Sequence, residues 1–188
     1  MNLNQGWKLR LAVLSTLIKD APAKPGRTML MKLAYLLQIV KGVPLGYRFE
    51  LYNYGPYDPT LLSDLSHAVT LKAVRSETVR FQSGYRYEYT TNGKGHDALC
   101  REAADSLTRY TPDLNWALEK FGNESASRLE LITTIIFAER EMQRKRQQRL
   151  YDELCKRVKR IKPHFTDETI AGTVDELATA ELIAIDAD

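Results

Sequence analysis

Trp7, Leu11, Leu14 and Ile18 recur at helical spacing, as do Leu9, Val13 and Leu17, so the chain opens on a pattern that predicts a core helix. Ala21-Pro22-Ala23-Lys24-Pro25-Gly26 breaks it. Met29, Leu30, Leu33, Leu36, Leu37 and Val40 then form a wide apolar stripe that predicts a second buried helix, stopped by Gly42 and Pro44. Tyr47 to Tyr52 reads as a strand. Asp58 and Pro59 predict the start of a third helix, because Asp caps orphan N–H groups and Pro tolerates the first helical position; Leu61, Leu62, Leu65 and Val69 mark its buried side. Thr78 to Gln82 and Tyr85 to Thr90 alternate apolar and polar residues around Ser83-Gly84, which predicts a hairpin.

Helix, helix, strand, helix, hairpin is the winged-helix order. From Thr91 onward the pattern is helical: Lys94 to Tyr110, a short helix after Pro112, Ser127 to Glu141 with Ser127 and Glu130 as a capping box, Arg144 to Ile161, and Thr166 to Ile183. Leu150, Leu154, Val158 and Ile161 form an apolar seam along the fourth of these. The expected fold is α+β and mostly helical: a winged-helix-like core over residues 1–92 with a small antiparallel hairpin wing, and a helical C-terminal extension over residues 93–188 packed on it as one structural unit.

Charge changes this picture in one respect. The net charge of +3 conceals ten Lys/Arg against three Asp/Glu between Arg140 and Lys162, followed by seven acidic and no basic residues from Pro163 to Asp188. Adjacent segments of opposite sign can satisfy each other, which weakens the argument that the basic one seeks nucleic acid. Cys100 and Cys155 have no Cys-x-x-Cys partner and suit packing in a reducing cytoplasm, the expected location. Lys8 to Ile18 followed by Ala21-Pro22-Ala23 superficially resembles a signal peptide, but Lys19 and Asp20 and the helical periodicity favour a core helix. No apolar run approaches the roughly 20 residues that span a bilayer, so no membrane partner is expected.

Lys32-Leu33-Ala34-Tyr35-Leu36-Leu37-Gln38, then Tyr54-Gly55-Pro56-Tyr57 opening a helix, then a hairpin ending in Tyr89-Thr90-Thr91, together with Val158-Lys159-Arg160-Ile161-Lys162-Pro163-His164-Phe165-Thr166, resemble the YwgA-like family of prokaryotic proteins over most of the chain. Residues 28–71 also look like the SocA-like antitoxin domain, called Panacea, in which a Tyr-Gly-Pro turn follows a Lys-Leu-x-x-Leu-x-Tyr-like helix; the helix here reads Lys32-Leu33-Ala34-Tyr35-Leu36-Leu37, a different spacing. The first resemblance carries no chemistry. The second implies a helical, partner-binding module that neutralises or delivers another protein.

The candidate partner-binding residues are Tyr52, Tyr54, Gly55, Pro56 and Tyr57, since tyrosine brings a large apolar face and a hydrogen-bonding tip at little entropy cost. The structural alternative is that Gly55 and Pro56 only shape a turn while the tyrosines cover core. Seven of the ten tyrosines lie between Tyr47 and Tyr89 with arginines interleaved, the ingredients of a nucleic-acid surface. Its candidate residues are Lys72, Arg75, Arg80, Arg86, Arg144, Lys145, Arg146 and Arg149. The third helix is a poor reader of bases, because no Arg, Lys, Asn or Gln lies between Thr60 and Leu71.

Gly93-Lys94-Gly95-His96-Asp97-Ala98 imitates a dinucleotide fingerprint, but no later strand completes a βαβ unit, so no cofactor is expected and a helix-initiating turn is preferred. His67, His96 and His164 lack ligand spacing, so no metal is expected. Asp97, Glu102 and Asp105 share a helix with His96 and read as a solvated face. No catalytic grouping stands out. The expectation is a non-enzymatic adaptor or antitoxin-like protein; the alternative is a winged-helix DNA-binding transcriptional regulator, for which analogy implies a homodimer through the extension.

Overall fold

The computed structural model describes residues 3–81 and 84–187. It is a mostly helical α+β protein in which eight helices accompany two two-stranded sheets among the described residues. The chain forms two compact units, one from residues 1–50 and 57–124, the other from residues 51–56 and 125–188. The change from one unit to the next thus comes at Glu124, beyond the 92/93 boundary that the pattern suggests, and the second unit claims a six-residue piece of the N-terminal half.

The first unit is organised around α1 (Leu3–Asp20), which contacts α2 (Arg27–Ile39), α3 (Pro59–Thr70), α4 (Gly93–Glu102), α5 (Ala104–Phe121) and the second wing strand. Leu9, Leu11, Val13, Leu14, Leu17 and Ile18 are all buried, a stripe wide enough for a helix enclosed on most sides. Each such side chain contributes about 1.5–3 kcal/mol on leaving water. In α2, residues 30–37 are buried without interruption.

Asp58 caps α3 as expected, accepting from Thr60 N at 2.7 Å and from Arg48 N at 2.5 Å, with Pro59 in the first turn. The buried side of α3 is Leu61, Asp64, Leu65 and Ala68, while Leu62 and Val69 are half-buried. Asp64 is accommodated because Arg10 Nε and the Tyr47 hydroxyl donate to it at 2.6 and 2.9 Å. Burial works against the Arg10 charge, but Asp64 more than offsets it and raises its pKa; burial and the Asp64 carboxylate together keep the Tyr47 phenol protonated.

Several boundaries differ from the sequence reading. The strand expected from Tyr47 begins at Glu50: Tyr47 N and O are bonded instead by the Gln38 side chain at 2.9 and 2.8 Å, so residues 47–49 join no ladder. A second short strand at Gly55–Tyr57, unpredicted, pairs with Glu50–Tyr52. We call these β1 (Glu50–Tyr52) and β2 (Gly55–Tyr57). The wing is longer than expected, β3 (Val74–Phe81) pairing antiparallel with β4 (Gly84–Thr91), and the predicted turn residue Ser83 lies outside the described residues. Pro112 does not break the following helix. It sits inside α5, and the break comes at Ala103.

In the second unit, α6 (Ala126–Arg144), α7 (Tyr151–Ile161) and α8 (Asp167–Thr179) pack pairwise on one another. The capping box is corrected: Ser125, two residues earlier, caps α6 by accepting from Arg128 N at 3.1 Å, and Glu130 is buried instead of reaching back to a cap. The basic helix starts at Tyr151, not Arg144, since Arg146 takes φ 54° in the left-handed region and ends α6. Leu154 and Val158 form the buried seam, with Leu150 and Ile161 half-buried at its ends.

Candidate functional site

The hairpin arm that carries the Tyr-Gly-Pro turn is built by one conformational necessity. Gly55 is buried with φ 84°, a conformation that side chains resist, and Pro56 then fixes the chain into β2. Asn53 and Tyr54 bridge the two strands. The consequence is that Tyr52 and Tyr54 stand 63% and 69% exposed, whereas Gly55 and Pro56 are buried and Tyr57 is half-buried. Of the five predicted partner-binding residues, two present side chains to solvent and the others shape and seat the turn.

Residues 51–56 belong to the same unit as α6–α8, and the link is chemical. Lys162, 3% exposed at the end of α7, donates from Nζ to the carbonyl oxygen of Asn53 and lies 2.6 Å from Glu130 Oε1 on α6. His164 Nε2 is 3.8 Å from the same carboxylate oxygen, and its ring lies 4.2 Å from that of Phe165. Lys159 Nζ donates to the Phe165 carbonyl at 2.7 Å and Phe165 N to the Lys162 carbonyl at 3.2 Å, so the loop after α7 is tied at both ends. A buried ammonium needs compensation, and here it has a carbonyl acceptor on the arm and a carboxylate ion-pair partner on the bundle. The arm and the end of α7 therefore meet at one cation.

The second aromatic surface is the wing. Register places Ser76, Thr78 and Arg80 of β3 opposite Tyr89, Tyr87 and Tyr85 of β4 on one face; Arg75, Glu77 and Val79 oppose Thr90, Glu88 and Arg86 on the other. Arg80 and Arg86, paired as candidates, thus point to opposite faces. Arg86 bonds Glu88 at 2.5–2.9 Å. Arg27 lies over the Tyr87 ring at 3.4 Å and donates to the Tyr89 hydroxyl at 3.2 Å, and Arg80 lies over Tyr85 at 5.9 Å.

Lys72 and Arg75 are exposed at the wing root, where Lys72 takes φ 56° to end α3. The solvent face of α3 presents Thr60, Ser63, Ser66, His67 and Thr70, and the hydroxyls of Ser66 and Thr70 donate to carbonyls one turn back at 3.0 and 3.1 Å. The predicted cluster 144–149 is largely engaged. Arg144 and Lys145 pair with Glu141 at 2.6 and 3.3 Å, and Arg149 joins Asp186 at 2.6 Å and buried Glu139 at 3.2 Å. Arg146 is exposed. Asp186 is a residue of the acidic tail, which meets the basic segment as the charge pattern anticipates.

A third grouping was not foreseen. Ser15, fully buried on α1, lies 2.8 Å from His96 Nδ1, and Cys100 Sγ lies 3.6 Å from His96 Nε2 and 3.8 Å from Thr16 Oγ1. Burial, helped by Lys19, lowers the His96 pKa, and burial pushes the Cys100 thiol up, so imidazole and thiol are held neutral. That is core satisfaction, not nucleophile activation. The clue was Ser15 itself, a hydroxyl inside an apolar stripe that demands a partner. Asp97, Glu102 and Asp105 point away to solvent, and Glu102 pairs with Lys8 at 2.8 Å.

The fingerprint mimic is explained by packing: a Cβ on Gly95 would stand 2.1 Å from the Lys72 carbonyl oxygen, so Gly95 admits the crossing backbone of the wing root. A cavity of about 140 Å³ lined by Lys8, Leu9 and residues 101–106 is smaller than ordinary ligand sites. Among the described residues, no three His, Cys, Asp or Glu side chains gather as a metal site. No described helix is long and apolar enough to cross a membrane. A scan against protein-family models and a search among curated proteins both return no match.

Proposed function

We propose that this protein is a non-enzymatic protein-binding module, adaptor or antitoxin-like in action, that engages its partner through the Tyr52/Tyr54 arm. The observation that carries the reading is two exposed tyrosines on a turn whose carbonyl is held from below by a buried lysine. Large aromatic side chains displayed on a pre-ordered turn lose little entropy on binding, which is the character of interface anchors. The resemblance to the SocA-like domain, which rests on the same turn, implies the same kind of role, and the reading expects the protein to act in a prokaryotic cytoplasm.

The alternative, a winged-helix transcriptional regulator, is favoured by the element order and by Arg75 and Arg80 on the wing. The solvent face of α3, which carries no Lys or Arg, and the engaged Arg144 and Arg149 weigh against it. The test is affinity capture from the native lysate with nuclease treatment, comparing the wild type with the Tyr52→Ala/Tyr54→Ala variant. A nuclease-resistant partner recovered by the wild type is expected to be lost from the variant, with thermal unfolding of the two proteins unchanged. Equal recovery by both would overturn the arm as the contact surface.

A further inference from the structure

The wing is chemically two-faced, and the difference is fixed by register. One face carries both wing carboxylates, Glu77 and Glu88, with Arg75 and Arg86 among them, and Arg86 already bonds Glu88. The other carries Ser76, Thr78, Arg80, Tyr85, Tyr87 and Tyr89, none of them acidic. Its aromatic rings are graded from root to tip: Tyr89 is 3% exposed, Tyr87 37% and Tyr85 69%. Alternate residues on a strand stand about 7 Å apart, so two rings follow one another along β4, Tyr85 open and Tyr87 covered on one face by Arg27. Arg27 is stacked on Tyr87 and Arg80 lies near Tyr85, which places a guanidinium beside each ring.

Aromatic faces in series, a cation beside each, neighbouring hydroxyls and no carboxylate on that face make a surface suited to flat rings strung on an anionic backbone. Phosphates are met by guanidinium forks and unpaired bases by tyrosine faces. An acidic peptide would use the arginines but not the ring series. A duplex would hide its base faces and would need base-edge donors, which α3 does not supply.

We propose that the Tyr85/Tyr87/Arg80/Arg27 face of the wing binds single-stranded nucleic acid by stacking bases on the two tyrosines and pairing phosphates with the two arginines.

The test is fluorescence anisotropy with a short labelled oligothymidylate, a matched duplex, and inorganic polyphosphate as competitor. The single strand is expected to bind in preference to the duplex. With two phosphate contacts, affinity should fall only about sevenfold between 50 and 200 mM salt, since each contact on a single strand contributes a slope near 0.7. Tyr85→Ala with Tyr87→Ala should weaken binding by about tenfold or more, whereas Tyr85→Phe with Tyr87→Phe, which keeps the rings, should stay near wild type. Both tyrosines are exposed enough for the Ala variant to fold, and circular dichroism checks this. Absence of binding at 50 mM salt, equal affinity for the folded Ala variant, or full displacement by polyphosphate with no preference for the single strand would each overturn the proposal. So would loss of a captured protein, in place of the oligonucleotide, on wing mutation.

Discussion

The arm and the wing are both tyrosine-bearing hairpins, yet they stand by different means. The arm has two three-residue strands, too short to be stable alone, and depends on Gly55 for its turn and on buried Lys162 to hold the Asn53 carbonyl. The wing has two eight-residue strands in continuous register, rooted where Asn92 N donates to the Ala73 carbonyl at 3.0 Å and Tyr89 N to the Pro25 carbonyl at 3.1 Å. A short hairpin borrows order from a remote charge, and a long one supplies its own. The same residue type therefore serves a rigid anchor on the arm and an open face on the wing.

The largest effect should come from removing the arm's anchor. Lys162→Met leaves buried Glu130 without its lysine partner and is expected to cost about 3–5 kcal/mol in urea unfolding, most of it recovered by adding Glu130→Leu. A loss below about 1 kcal/mol would mean that the arm stands without the charge and would break the comparison.

Gly95→Ala sharpens it from the other side, because the new methyl meets the backbone that roots the wing. Overpacking of this kind should cost about 1–3 kcal/mol, read from the denaturation midpoint. Asp58→Ala removes the cap of α3 and the bond to Arg48 N, and should cost about 1–2 kcal/mol.

The wing root adjoins α4, where buried His96 introduces a pH dependence. Its folded pKa lies below the unfolded value near 6.5, so the unfolded chain takes up the proton first. The stabilising contribution is complete above pH 6.5 and is lost as pH falls toward the folded pKa. Thermal unfolding followed from pH 7 to pH 5 should therefore show a decline that His96→Gln makes shallower, and parallel profiles would remove the histidine from the account. The smallest effect belongs to Arg86→Gln, an exposed pair on a self-sufficient ladder, with an expected change within about 0.5 kcal/mol by the same unfolding measurement.

Much of the framework was legible locally. The periodicity of α1 and α2, the Asp58-Pro59 start of α3 and the alternation of the wing are statements about a few adjacent residues, and the structure agrees with each. The failures fall where a neighbouring rule competes with a distant one. Pro112 stands in the middle of α5, where it gives up one backbone donor without ending the helix, and Ser127-Glu130 looked like a capping box because the alternative use of Glu130 lay 32 residues away at Lys162. In the candidate site, Tyr54-Gly55-Pro56-Tyr57 was visible as a turn, but nothing local separated exposed Tyr54 from half-buried Tyr57.

The sequence by itself determined which segments are helical, where the wing alternates, and that a strongly basic segment precedes an acidic one, because each depends on period or composition within a short window. Tertiary structure alone decided which charges are spent. Lys162 and Arg146 are indistinguishable as letters in a basic run, yet one is sealed under the arm and the other is exposed. Burial and partner distance are properties of three-dimensional neighbours, and they decide whether a cation holds the fold together or remains available to a ligand.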